Sequence, residues 1–348
     1  MLFAEAVRST VRQAPWLKAR RMPAQTAVVC ALGRTSLEER NQLADALKGA
    51  AILLVVLGHA IQTHVVHFQT NLVFCIIYSF HMPLFIAVSG WLAVPDRFTL
   101  LKHTRRLILP MFVWYAVEYV AKGRFRTTSV PGYLMDWVKS PDWGLWFLWI
   151  LFLCQVGLYA CFLLERRIGA AAYVGGAVVL YLAPVQILGF PLYRYYFPYF
   201  VAAFILHRNW SVMGRFTRVS LYLSILAFAP AISLWNFSPT AGESHLLYML
   251  CRVIAAVTGS IAFSWLVSAL KPLHKGLAWL GRRTMEIYTS HGLFIELLPG
   301  IALSSLFSLG SSLAVASLLR LSPILATVFY GASSRKAGTA LRPDPSWA

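Results

Sequence analysis

Two histidines stand where a histidine is costly. His59 lies in DALKGAAILLVVLGHAIQ and His81 in YSFHMPLF, both inside long apolar runs of Arg40–Trp91. Imidazole titrates near pH 6.5, so at physiological pH its neutral form can take a proton from a hydroxyl. An ionisable group inside a membrane-length segment marks a functional site by default. On a helix at about 100° per residue, Asp45, Lys48, His59 and Gln62 fall in one stripe about 100° wide, with Asn41 just ahead of it. The rest of that helix is Leu, Val, Ile and Ala. Lipid does not tolerate such a stripe, so it faces the protein interior or a water-filled cavity. His59 lies roughly 21 Å beyond Asp45 along the axis. Asp45 and Lys48 are therefore expected at the mouth of the span and His59 in its far half. For His81, a structural and a catalytic role weigh equally. Pro83 lacks an amide hydrogen and displaces the carbonyl of Ser79, which predicts a kink with a free acceptor beside the imidazole. Ser89 and Gly90 follow, and Gly90 permits close helix approach.

Two further stretches carry chemistry-bearing side chains. LKHTRRLILP places Lys102, His103, Arg105 and Arg106 at the start of a third apolar run. A positive loop flanking a span accounts for them in part. A phosphate clamp for a nucleotide-bearing donor is the sharper reading, since guanidinium groups pair bidentately with phosphate oxygens. In WLGRRTMEIYTSHGLF, helical spacing puts Thr284, Tyr288 and His291 on one face and Glu286 and Ser290 on an adjacent one. A buried Glu286 needs a cationic or donor partner. Arg282, Arg283 and Arg252 are candidates, Glu118 is another, and the sequence leaves the choice open. The WGLWFLW run (143–149) reads as an interfacial aromatic belt, with a sugar-stacking platform as the alternative.

The elements that must position these residues are membrane helices. The chain of 348 residues is 58% hydrophobic and 13% charged, about half the charge of an ordinary soluble domain. Mean hydropathy is +0.64. Apolar runs recur near 44–63, 71–94, 107–121, 143–164, 169–188, 193–207, 219–236, 245–269, 284–302 and 304–330. The expectation is an all-α polytopic protein of about ten transmembrane helices, without the alternation of a transmembrane barrel. The net charge of +18 comes from Lys and Arg concentrated in every second connection. That bias places both termini in the cytoplasm and explains the basicity without nucleic acid. The discordant connection is 122–142, with Lys122, Arg124, Arg126 and Lys139, long enough for a small external cap. The expected domains are a basic, disordered cytoplasmic tail over 1–35, a transmembrane domain over 36–331 and a C-terminal cytoplasmic tail over 332–348. Five scattered cysteines with no CxxC pair indicate neither a zinc site nor a disulfide framework, and no metal is expected.

The run from Asp45 to His59, then SFHMPLF through SGW (79–91), RRLILP (105–110), WFLWILFL (146–153) and LGRRTMEIYTSHGLF (280–294) together resemble integral-membrane acyltransferase family 3. They look closest to its fucose 4-O-acetylase-like branch. The resemblance covers about 36–331. It implies about ten membrane helices and transfer of an acyl group, usually acetyl, from cytoplasmic acyl-CoA to a hydroxyl on a cell-envelope glycan or lipid-linked saccharide. It implies a multi-pass protein of the bacterial inner membrane in contact with its lipids. By the resemblance His59 takes the place of the catalytic histidine, and Arg105 and Arg106 that of the donor-binding cations; the residues themselves add Lys102 and Lys48 to those cations and His81 as a second site member. Asp45, Ser89, Glu286 and His291 support the site. Direct attack by the acceptor and a covalent acyl-His59 intermediate are both open. The alternative class is an exporter of an acylated or small anionic compound, which also needs polar groups at mid-membrane.

Overall fold

A computed structural model describes residues 24–139, 141, 144–210, 217–235 and 245–332, with backbone alone at 24–41, 217–219 and 245. Every regular element among them is helical. The expected tails over 1–35 and 332–348 lie largely outside the described residues, although the backbone is helical from Ala24. The helices are α1 (Ala24–His64), α2 (Leu72–Trp91), α3 (Leu100–His103), α4 (Leu109–Ala121), α5 (Val130–Lys139), α6 (Trp146–Ile168), α7 (Ala171–Leu182), α8 (Phe190–Arg208), α9 (Thr217–Ser233), α10 (His245–Ala269), α11 (His274–Gly281), α12 (Thr284–Ser290), α13 (Ile301–Leu319) and α14 (Pro323–Tyr330).

Among the described residues, five segments are long and apolar enough to cross a membrane: Gln42–His64, Leu72–Trp91, Trp146–Ile168, Leu246–Ala269 and Ile301–Leu319. Their burial separates centre from rim. The first two are 61% and 67% buried, the other three 33%, 28% and 22%. The polar stripe thus belongs to the central pair. The outer helices turn Leu182, Leu226 and Leu306 outward, as lipid-facing surfaces do.

Two expected spans are broken. Over 284–302, α12 stops at Ser290 and a 3₁₀ turn follows at His291–Leu293 before α13. Over 304–330, Ser322 caps the start of α14 by accepting from the Leu325 amide, and Pro323 occupies its first turn. Irregular backbone at membrane depth must find its hydrogen bonds within the protein. The buried serines of α13 provide them here. Ser308 Oγ donates to the His291 carbonyl at 2.8 Å, and Ser304 Oγ donates to that of Ile295. Glu286, 1% exposed, is paired with Arg320 at the far end of α13. None of the three arginines favoured from sequence, nor Glu118, is that partner.

Backbone contacts through glycine set the helix spacing. A Cβ on Gly49 would lie 1.8 Å from the Leu277 carbonyl oxygen, and one on Gly281 1.8 Å from that of Asp45. These positions dock α1 on α11. Gly90 does the same for α2 on α8, where a Cβ would meet the Phe200 carbonyl at 2.1 Å. α2 runs through Pro83 as one helix. His81 Nδ1 donates to the Ile77 carbonyl at 2.7 Å, so the imidazole uses that acceptor and not the Ser79 carbonyl expected from the proline.

Backbone cannot yield as a flexible side chain does, and overpacking costs about 1–3 kcal/mol or more. Gly281→Val is expected to lower the thermal midpoint of the detergent-solubilised protein. Gly276→Ala on the same helix, where nothing lies within 4 Å, should hold or raise it, since alanine favours an exposed helix interior by about 1 kcal/mol.

Candidate functional site

Two cavities flank the middle of α1. The first, about 180 Å³, is lined by Asp45 and Lys48 of α1, Ser89 of α2, Arg97, Lys102, His103, Arg106, and Gly281, Arg282, Thr284 and Met285 around the start of α12. Lys48, Arg97, Lys102, Arg106 and Arg282 face a single carboxylate, Asp45, which pairs with Arg282 at 3.8 Å. This basic cavity therefore keeps a surplus of cations suited to phosphate. His103 Nδ1 donates to the Thr99 carbonyl at 2.9 Å, and its ring stacks on Phe98, which stacks in turn on Tyr159. Burial, with some help from Arg106 and Lys102 and against the Thr99 bond, holds this imidazole below its ordinary pKa. At neutral pH it is an aromatic surface beside the cations, not another charge.

The two sequence-adjacent arginines separate here. Residues Thr104–Ile108 form one π-helical turn between α3 and α4. Arg106 lines the cavity, while Arg105 is exposed and is not on its wall. Such single π turns recur at functional sites. The backbone of Gly331, at φ +63°, sits against this turn, and a Cβ there would lie 2.5 Å from Arg106 Cα.

The second cavity, about 350 Å³, is lined by His59, Gln62 and Thr63 of α1, Trp114, Glu118 and Lys122, then Arg124, Gly144, Leu145, Tyr288, Thr289, His291 to Leu293, Ile295 and Glu296. Lys48 and His59 thus share the face of one helix but open into different cavities, roughly 16 Å apart along the axis. The Thr284–Tyr288–His291 face runs parallel to them. Thr284 meets the basic cavity, His291 the histidine cavity, and Tyr288 both.

The imidazoles are held differently. His59 and His291 lie with ring centroids 5.1 Å apart. His291 Nδ1 is committed to the Tyr288 carbonyl at 2.8 Å and the Ile287 carbonyl at 3.1 Å, which leaves its Nε2 as the acceptor nitrogen. Tyr78 stands between His59, at 6.3 Å, and His81, at 4.8 Å, and its hydroxyl donates to Gln62 Oε1 at 3.1 Å. Gly58 leaves the room for that ring. His81 is buried behind Tyr78 and lines neither cavity. Ser89 donates to the Phe85 carbonyl and faces the basic cavity. Glu286 is taken up by Arg320 and lines neither. Asn41, the head of the predicted stripe, and Trp143 lie outside the residues whose side chains are described. Trp146 stacks on Tyr196 and Trp149 donates to the Leu188 carbonyl, so both pack into the fold.

Several wall residues escaped the sequence reading. Arg97 carries no sequence signal of its own, and Arg282, a candidate partner for Glu286 by sequence, lines the basic cavity and pairs with Asp45 instead. Lys122 and Arg124, in the basic connection 122–142, both line the histidine cavity. Lys122 bridges Glu118 at 3.2 Å and Glu296 at 3.4 Å on the rim of the histidine cavity.

The chain is 34% identical over 182 residues to the nodulation protein NolL of Sinorhizobium fredii, a match covering 46% of this chain and 47% of that protein. It is 24% identical over 326 residues to the nodulation protein NolL of Mesorhizobium japonicum, covering 84% and 87%. The chain thus spans about half of the first relative and most of the second. No solved structure matches it. The profile of the acyltransferase domain of the Acyl_transf_3 family matches residues 42–334. That segment contains the whole wall of both cavities, and on it the chain belongs to this family of acyltransferases, as a membrane protein.

Proposed function

We propose that the protein is an O-acyltransferase that moves an acyl group, in the first instance acetyl, from acyl-CoA to a hydroxyl of a cell-envelope glycan or lipid-linked saccharide. In this reading it belongs to the fucose 4-O-acetylase-like branch and crosses the bacterial inner membrane about ten times with both termini in the cytoplasm. The observation that carries it is the single face of α1, which presents Lys48 to a cation-rich cavity and His59 to a separate polar one. Acyl-CoA suits the first. Its phosphates meet Lys48, Arg97, Lys102 and Arg106, and its thioester arm follows the stripe toward His59. A saccharide suits the second, where Gln62, Thr63, Glu118, Lys122 and Glu296 offer donors and acceptors.

The chemistry needs few parts. An acceptor hydroxyl is a poor nucleophile until a base takes its proton, and neutral His59 is that base. The hydroxyl oxygen then forms a bond to the thioester carbonyl carbon, the C–S bond breaks, and the proton reaches the leaving thiolate. His291, its Nδ1 committed to backbone, fixes the far wall. His81 supports Tyr78, which supports Gln62.

The direct test is mass spectrometry of envelope glycans and lipids from cells with and without the protein, where the predicted difference is one acetyl group. In purified protein, His59→Ala should reduce acetyl transfer by about 10²- to 10⁴-fold, the range for losing a general base. His81→Gln should cost much less. Wild-type turnover in His59→Ala would remove His59 from the chemistry. Arg106→Ala should raise KM for acetyl-CoA well above the effect of Arg105→Ala, because only Arg106 faces the basic cavity. The reverse order in a saturation assay would place the donor elsewhere.

A further inference from the structure

Tyr288 is the wall common to both cavities. It is 6% exposed, and its ring packs edge-to-face on Phe147 at 5.5 Å and lies 6.0 Å from His291. Its hydroxyl donates to the Gly144 carbonyl at 2.6 Å and accepts from the Phe147 amide at 3.3 Å. Those partners straddle the partition as well. Gly144 and Leu145 line the histidine cavity, and Phe147 lines the basic one. Gly144 is exposed, non-helical and at φ +72°, just ahead of α6. The latch therefore joins one exposed carbonyl, that of Gly144, to one buried helical amide, that of Phe147.

His59 is absent from the wall of the basic cavity, and Lys48 from that of the histidine cavity. Tyr288 is the one residue that both walls share, so its ring stands where a donor seated on the cations would approach the imidazole, and where water of the polar cavity would approach the thioester. Its hydroxyl is tied to the Gly144–Phe147 segment, part of which lines the histidine cavity.

Resting on the acyl-transfer reading above, we propose that Tyr288 is a positioning residue that partitions donor from acceptor, its hydroxyl latched to the Gly144–Phe147 segment until an acceptor contacting Gly144 and Leu145 releases it. The latched state keeps water from the thioester. The released state admits the thioester carbon to His59, where the acceptor C–O bond forms, the C–S bond breaks and the hydroxyl proton passes to the thiolate. Without the latch, water takes the acceptor's place and the products are free carboxylic acid and CoA thiol.

Tyr288→Phe keeps the ring and removes the latch. In purified protein given acetyl-CoA, it should raise acceptor-independent thiol release by about tenfold, the effect of losing one good hydrogen bond, while acceptor-dependent transfer stays within a few-fold of wild type. A merely structural tyrosine would lower both activities together or change neither, and either result overturns the proposal. A second measurement needs no turnover. Ser89→Cys places a thiol in the basic cavity. In sealed membrane vesicles of one orientation, a membrane-impermeant thiol reagent applied from the His59 side should label it slowly when Tyr288 is present and rapidly with Tyr288→Phe or Tyr288→Ala. Equal labelling in all three backgrounds defeats the partition. If wild-type protein consumes no acetyl-CoA, the acyl-transfer reading fails, and the labelling still decides whether Tyr288 divides the cavities.

Discussion

The site depends on one contact, the backbone of α1 lying directly on that of α11. At Gly49 and Gly281 a methyl group would collide with a carbonyl oxygen. Small residues allow this approach where lipid supplies no hydrophobic drive between helices. The consequence is register. With Gly281 on Asp45, Arg282 and Thr284 fall beside Asp45 and Lys48, and α12 and the 3₁₀ turn after it bring Tyr288 and His291 up alongside His59. Two polar faces that lipid would reject separately are buried against each other.

A polar path through an apolar bundle must be hydrogen-bonded along its length, since an unpaired buried group costs about 1–3 kcal/mol. The chain meets this requirement largely with local side-chain bonds. His81 uses the Ile77 carbonyl, His291 those of Ile287 and Tyr288, and Ser304 and Ser308 those of the broken helix they face. Charges follow the same rule at longer range. Glu286 is paired with Arg320, and Lys122 with Glu118 and Glu296.

Much of this was legible in the sequence, in proportion to how local the cause was. The stripe on α1 and the Thr284–Tyr288–His291 face follow from helical periodicity alone, and both line the cavities as the spacing predicts. The close approach at Gly90 was likewise visible. Other features depended on tertiary pairing. Arg320 is 34 positions from Glu286 and looked like an isolated charge within a span. Arg105 and Arg106 are alike in type, and although adjacent helical residues point about 100° apart, which of the two meets the cavity depends on how this turn packs against its neighbours. The break after Ser290 was hidden because its polar backbone is satisfied by serines of a later helix, so the hydropathy of 284–302 reads as one continuous span. The division into two cavities joined at Tyr288 is a property of packing between α1, α6 and α12, and no single segment encodes it.

The seat of Gly331 against the π turn reaches beyond the finished protein. Trp114 Nε1 also donates to the Phe329 carbonyl at 3.1 Å, so the end of α14 clasps the segment that carries Arg106. A ribosome makes Arg106 early and Gly331 late. The turn that carries Arg106 is therefore braced late in biosynthesis, by residues more than two hundred positions downstream of those they brace. A nascent chain halted before α14 would hold most of its membrane helices, with His59 and Arg106 both made, but would lack the brace that seats the turn carrying Arg106.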